Sequence, residues 1–261
     1  MRVLNADGGA SMTPTRRILG ISDSKSVFVS GSEQPEFLQL IRDLTNKAKA
    51  SNPSICYIGA AKGDRPERTS AFFNLAERVG FHPTSLDMYA METGDPRAYF
   101  PNTDAIFIDG GVTRNLIALL KEWDVVDALV QTYQHGTLIA GASAGISMLF
   151  DWCISDSIKS SIQPVRGIGL LKGSICAHYD ALEARRNALA ELVQSEPSAL
   201  PAIGIDDGVA ALFENETLMT TYTIKPEAKL HLFEQAHSKH TTCSSQTLAP
   251  RSLQSLTHEP R

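Results

Sequence analysis

Short apolar runs alternate along this chain with segments in which apolar side chains recur every three or four positions. The runs SVFVSG (26–31), SICYIGAA (54–61), HPTSLDMYA (82–90), AIFIDGG (105–111) and TLIAGAS (137–143) read as strands. Between them, PEFLQLIRDLTNKAKA (35–50) sets Phe37, Leu38, Ile41 and Leu44 on one helical face. RTSAFFNLAERVG (68–80) is a second helix stopped by Gly80; TRNLIALLKEW (113–123) and VVDALVQTYQHG (125–136) follow, and another helix starts near Ala144. Beyond about residue 158 the periodicity weakens, but GSICAHYD (173–180), EARRNALAELVQ (183–194), AIGIDDGVAALFEN (202–215) and LHLFEQ (230–235) continue the alternation.

Strands and helices that alternate with short connections predict an α/β fold, a doubly wound, mostly parallel sheet with helices on both faces. No internal repeat and no Pro/Gly linker divides the chain. The expected organisation is a flexible leader over 1–17, a single domain over 18–236 and a disordered, Ser/Thr-rich polar tail over 237–261.

Composition narrows the function classes. A formal net charge of −5 argues against nucleic-acid and membrane-surface partners, which need a basic patch. The 4 cysteines form no CxxC pair and lack the density of a disulfide scaffold; Cys56 and Cys176 sit in apolar runs and read as buried thiols. The first residues lack the apolar core of a secretory signal, and no run approaches the roughly 18 apolar residues of a membrane helix, so the expected location is the cytoplasm.

In open parallel sheets, ligands bind outside the carboxyl ends of the strands, which directs attention to the loops there. One of them, GASAG (141–145), matches the G-x-S-x-G pattern of a nucleophile elbow, with Ser143 on a tight strand-to-helix turn. The plainer alternative is a small-residue turn that only packs closely. A serine nucleophile needs a base, and the base an orienting acid. Of the 7 histidines, His178 alone follows an apolar strand pattern at its carboxyl end; a surface loop histidine is the competing reading. For the acid, Asp206 and Asp207 lie inside an apolar segment, where carboxylates are costly unless paired, and Asp156 is a further candidate. A second glycine pair, Gly110–Gly111 in DGGVTRN, ends the fourth strand, and its N–H groups together with that of Ala144 suit an oxyanion hole.

Taken together and in order, IDGGVTRNLIALLK, GASAGISMLFDWCISDS, AHYDALEARR and GIDDGVAAL resemble the peptidase E (aspartyl dipeptidase) and cyanophycinase family of serine peptidases. The likeness runs from about Ser26 to Phe213. It implies a fold like that of class I glutamine amidotransferases (flavodoxin-like), with serine replacing cysteine at the elbow. It implies Ser143 as nucleophile, His178 as general base and Asp207 as the acid, with Gly111 and Ala144 as oxyanion donors. Asp156 matches a further acidic position of the peptidase E branch. Gly110 and either Arg185 or Arg186 fall where relatives meet the substrate, the arginine facing its acidic side chain. Two positions depart: Val112 stands where relatives carry a polar residue, and Asp207 where they often carry Glu. The implied activity is serine exopeptidase action on short peptides with an acidic N-terminal residue, without metal or cofactor. Two alternatives accompany it: a cyanophycinase-like isopeptidase acting on β-aspartyl-arginine, and an amidase-like or non-catalytic binder of a small acidic metabolite. Pairing of sheet edges into a homodimer is open to such a fold.

Overall fold

The computed structural model describes residues 14–28, 35–45, 52–90, 98–100, 102–158, 161–235, 243–248 and 251–252. The leader up to residue 13 and most of the polar tail lie outside the described residues.

The chain opens with strand β1 (Arg17–Ile21), followed by helix α1 (Glu36–Leu44), β2 (Ser54–Ile58), α2 (Pro66–Arg78), β3 (His82–Leu86) and β4 (Ala105–Ile108). Helices α3 (Thr113–Glu122) and α4 (Val125–Gln134) lead to β5 (Leu138–Ala142). These five strands are mutually parallel in the order β1-β5-β4-β2-β3. Alternation along each strand decides which side it feeds. In β4, Ala105 and Phe107 join the layer under α1 and α2, while Ile106 and Ile108 join the layer under α3 and α4. Helices therefore cover both faces, as the periodicity predicts.

The first strand is not where the pattern placed it. Val27 is fully buried, but residues 25–27 form a turn held by Asp23, whose carboxylate accepts from the Ser26 N–H (2.8 Å) and hydroxyl (2.7 Å). Residues 29–31 of that expected strand lie outside the described residues. The strand that enters the sheet is β1, RILGI, whose first residue falls in the expected leader.

After β5 comes a single turn of helix, α5 (Ala144–Ser147), and then a second sheet that the pattern did not separate from the first. It contains β6 (Phe150–Ile158), β7 (Ser161–Arg166), β8 (Leu171–Ala177), β9 (Ala202–Ile205), β12 (Leu230–Gln235) and β13 (Cys243–Leu248), with α6 (Glu183–Ser195) on its outer side. The run 202–215 holds two strands. β9 belongs to the second sheet, and β10 (Val209–Glu214) crosses back to pair antiparallel with β1, followed outward by β11 (Thr217–Thr223) and β14 (Arg251–Ser252). Within the stretch expected to be disordered, β13 and β14 are thus strands. Phe150, Cys153, Ile175, Ile203 and Ile205 of the second sheet share one apolar layer with Ile18, Ile106 and Ile139 of the first. Parallel pairs outnumber antiparallel ones over the two sheets together.

Candidate active site

The carboxyl ends of β1, β4, β5, β8 and β9 converge; Gly110, Gly111, Ser143, His178, Asp206 and Asp207 stand on the loops that leave them, whereas Asp156 lies within β6 and Arg185 and Arg186 within α6. Between β5 and α5, Ser143 adopts φ 51° and ψ −110°, a backbone conformation that non-glycine residues rarely occupy and that is often strained at functional sites. Its N–H is held by the carbonyl of Ile21 at 2.9 Å. Gly145 is required because α5 runs against β4: a Cβ there would lie 2.0 Å from the Ile108 carbonyl oxygen.

His178 follows β8 and also has positive φ, 55°. Its Nε2 lies 2.9 Å from Ser143 Oγ, and its Nδ1 lies 2.6 Å from Asp207 Oδ1. All three side chains are half-buried. Burial works against the charge on Asp207, but the His178 hydrogen bond and charge, together with Lys225 and Ser22, outweigh it and hold the carboxyl below its ordinary range. The carboxylate that faces His178 is therefore Asp207. Asp206 turns the other way, accepting from Lys229 N–H at 3.0 Å and lying 3.2 Å from His231 Nε2. Asp156 pairs with Arg185 at 2.8 Å.

The two arginines do not present a free clamp. Arg185 is buried and reaches Asp156 and the Ala177 carbonyl. Arg186 donates to the carbonyls of Tyr179 and Asp180, closing the turn after His178.

Gly110 packs against the elbow: a Cβ on it would meet Ser143 Cβ at 2.8 Å. Gly111 is exposed at φ 149°, and a Cβ there would lie 2.3 Å from the Ala61 carbonyl oxygen, so only glycine fits. Among the described residues no acceptor takes the N–H of Gly111 or Ala144. Beneath the turn, Asp109 is fully buried and accepts from Tyr57 (2.9 Å), Arg68 (2.8 Å), Lys62 (3.4 Å) and the Gly110 N–H (2.7 Å). Burial alone would raise its pKa; the two cations and its hydrogen bonds reverse the sign and keep it charged. Arg68 also lies over the Phe28 ring, 3.2 Å from its centroid.

The segment Ser22-Asp23-Ser24 was not anticipated. The Ser22 hydroxyl donates to the Ile205 carbonyl (2.9 Å) and accepts the His178 N–H (2.9 Å). Asp23 accepts the Gly208 N–H at 2.8 Å, and the Ser24 hydroxyl accepts the Gly110 N–H at 3.1 Å. Three consecutive residues thus tie the histidine, acid and glycine loops to β1.

The model of peptidase family S51 matches residues 26–221. The chain belongs to peptidase family S51. Membership makes it a peptidase. A relative named as the uncharacterised peptidase YgaJ of Bacillus subtilis (strain 168) is 30% identical over 200 residues, 77% of this chain and 86% of that protein. Peptidase E of Streptomyces coelicolor is 28% identical over 127 residues, 45% of this chain and 51% of its own length. The S51 chain also superposes on solved structures at lower identity. A peptidase from an acI-B1 actinobacterium gives a TM-score of 0.68 at 17% identity, covering 91% of this chain and 96% of that one. A putative peptidase E from Listeria monocytogenes EGD-e gives 0.58 at 16%, covering 81% and 100%. These two establish the fold, the flavodoxin-like α/β class expected from the sequence.

The buried cysteines Cys56, Cys153 and Cys176 stay out of this chemistry, since burial pushes their thiols up to about 11, 12 and 12. Among the described residues no helix is long and apolar enough to cross a membrane.

Proposed function

We propose that this S51 peptidase is a serine exopeptidase that hydrolyses short peptides with an acidic N-terminal residue. The observation that carries the serine mechanism is the unbroken contact from Ser143 Oγ through the imidazole of His178 to Asp207, at 2.9 and 2.6 Å. Asp207, kept ionised, selects the tautomer with the proton on Nδ1 and leaves Nε2 free to accept the Ser143 proton. The hydroxyl attacks the scissile carbonyl, His178 passes the proton to the departing amine, and water then cleaves the acyl-enzyme by the same route reversed. The Gly111 and Ala144 N–H groups receive the negative oxygen of each tetrahedral intermediate, each worth roughly 3 kcal/mol by the behaviour of such donors elsewhere. The acidic preference rests on the motif resemblance and on similarity to a protein named peptidase E. No metal takes part in this scheme.

Replacing Ser143 with Ala is expected to abolish hydrolysis of Asp-X dipeptides and labelling by a fluorophosphonate, with a melting temperature close to that of the parent. A Ser143→Ala protein that keeps full activity refutes the assignment. Asp-X dipeptides assayed beside β-aspartyl-arginine decide the substrate, and preference for the isopeptide would overturn the dipeptide reading while leaving the serine chemistry intact.

A further inference from the structure

The Gly110–Gly111 peptide is a single planar unit whose carbonyl and N–H point in opposite directions. Its neighbours are pinned on both sides. The Gly110 N–H is held by Asp109 Oδ1 (2.7 Å) and Ser24 Oγ (3.1 Å), and the Val112 N–H by the Ala61 carbonyl (2.8 Å). The peptide between them has no Cβ at either end, so rotation of the whole unit is opposed by little steric resistance. One strong contact restrains it: Lys62 Nζ donates to the Gly110 carbonyl oxygen at 2.7 Å.

Lys62 sits on the short 3₁₀ turn Ala60–Lys62 that follows β2, half-buried, with its ammonium also 3.4 Å from Asp109. Gly111 packs on Ala61 of the same turn. The lysine therefore approaches the glycine peptide from the side opposite the N–H of Gly111, an exposed residue whose N–H has no acceptor among the described residues. A charged donor on a carbonyl does two things to that amide. It fixes the orientation of the plane, and it draws electron density toward the oxygen, which makes the N–H a stronger donor.

We infer that Lys62 is a positioning residue that orients and polarises the Gly110–Gly111 peptide, so that the Gly111 N–H is fixed and strengthened as the oxyanion donor. This rests on the reading of Gly111 as part of the oxyanion hole. Lys62 acts through the peptide and does not touch the reacting atoms. Its neighbour Arg68 has a different task, since its bonds go to Asp109 and none goes to the glycine backbone.

The test compares Lys62→Met, Lys62→Arg and the parent for steady-state hydrolysis of whichever Asp-X dipeptide the parent cleaves, with Ser143→Ala alongside. A donor that aids only the tetrahedral state changes kcat and leaves KM nearly alone, so Lys62→Met should lose about 10- to 100-fold in kcat with KM within about threefold. Lys62→Arg, which keeps a charged donor, should recover most of that loss. A product dipeptide should bind Lys62→Met as tightly as the parent, whereas a peptide boronic acid, which becomes tetrahedral on the serine, should bind more weakly. If Lys62→Met does not fold, Lys62→Gln, a neutral donor, is expected to show a smaller loss with the same kcat signature. Parental kcat in the neutral variant, or equal weakening of product and boronic acid, overturns the inference. An inert Ser143→Ala beside a fully active Lys62→Met removes the lysine role alone. A Ser143→Ala that still hydrolyses removes the underlying reading and this one with it.

Discussion

Ser22 is fully buried, and its hydroxyl stands between the His178 N–H, which it accepts at 2.9 Å, and the Ile205 carbonyl, which also takes the Tyr179 N–H at 3.0 Å. Substituting Ala removes the acceptor of the His178 N–H, at a cost of about 1–3 kcal/mol for the unpaired group, while the Ile205 carbonyl keeps its bond from Tyr179. It also loosens the residue that carries the imidazole. Ser22→Ala should therefore lower the urea midpoint of unfolding and reduce kcat/KM by roughly tenfold; a variant unchanged in both would show that the bridge is dispensable. Nothing in the sequence pointed to this serine, because a lone hydroxyl after a short strand has no spacing signature. Ser143 and His178 were legible for the opposite reason. The elbow is a local five-residue pattern, and His178 marks the abrupt end of an apolar run. The choice between Asp206 and Asp207 was beyond local reading: adjacent side chains on one turn face opposite ways, and only the fold decides which meets the imidazole.

Among the elements, the turn from Gly59 to Asp64 shapes the site from below, since it carries both Ala61 and Lys62. Asp64 at its end accepts the Met88 N–H at 2.7 Å and has φ 45°. Burial, reinforced by the nearby Asp87, raises its pKa to about 6 against 3.8 for the free side chain. The folded state therefore holds a proton that the unfolded chain has lost between those values, and stability from this group grows as pH falls from about 6 toward 4. Above pH 6 its charge is a standing penalty. Asp64→Asn keeps an acceptor for Met88, tolerates the left-handed backbone and removes the charge. Its melting temperature should exceed that of the parent by about 2–4 °C at pH 7.5, with the difference vanishing near pH 4; a gain of equal size at both pH values would locate the effect elsewhere. The parallel βα units of the first sheet were readable from alternating periods. β1 was not, because five residues beside a polar leader give too short a window. The apolar stretch after Gly145 could not reveal its own end, since Ile146, Met148, Leu149 and Phe150 are all buried and such a run fits helix and strand equally.

At the scale of the whole molecule, Ser143 follows the last strand of the first sheet's parallel set, His178 leaves the second sheet, and Asp207 lies where the chain passes from β9 back to β10. Partition into two sheets was hidden from the sequence, because nothing local around Asp206-Asp207-Gly208 tells whether the strands before and after it share a sheet. The inter-sheet layer sets the registration of the three groups. Ile146 lies at its heart, fully buried, against Gly20 of β1, where an added Cβ would meet its Cγ1 at 2.6 Å. Ile146→Ala should cost about 2–5 kcal/mol in denaturant unfolding. It should also lower turnover in the fraction that remains folded, and undiminished turnover per folded molecule would show that the layer only coheres. Because Ser143 and His178 ride on separate slabs, a change of side-chain volume in that hidden layer displaces one against the other. A conservative swap there then offers a way to tune their spacing without touching either loop.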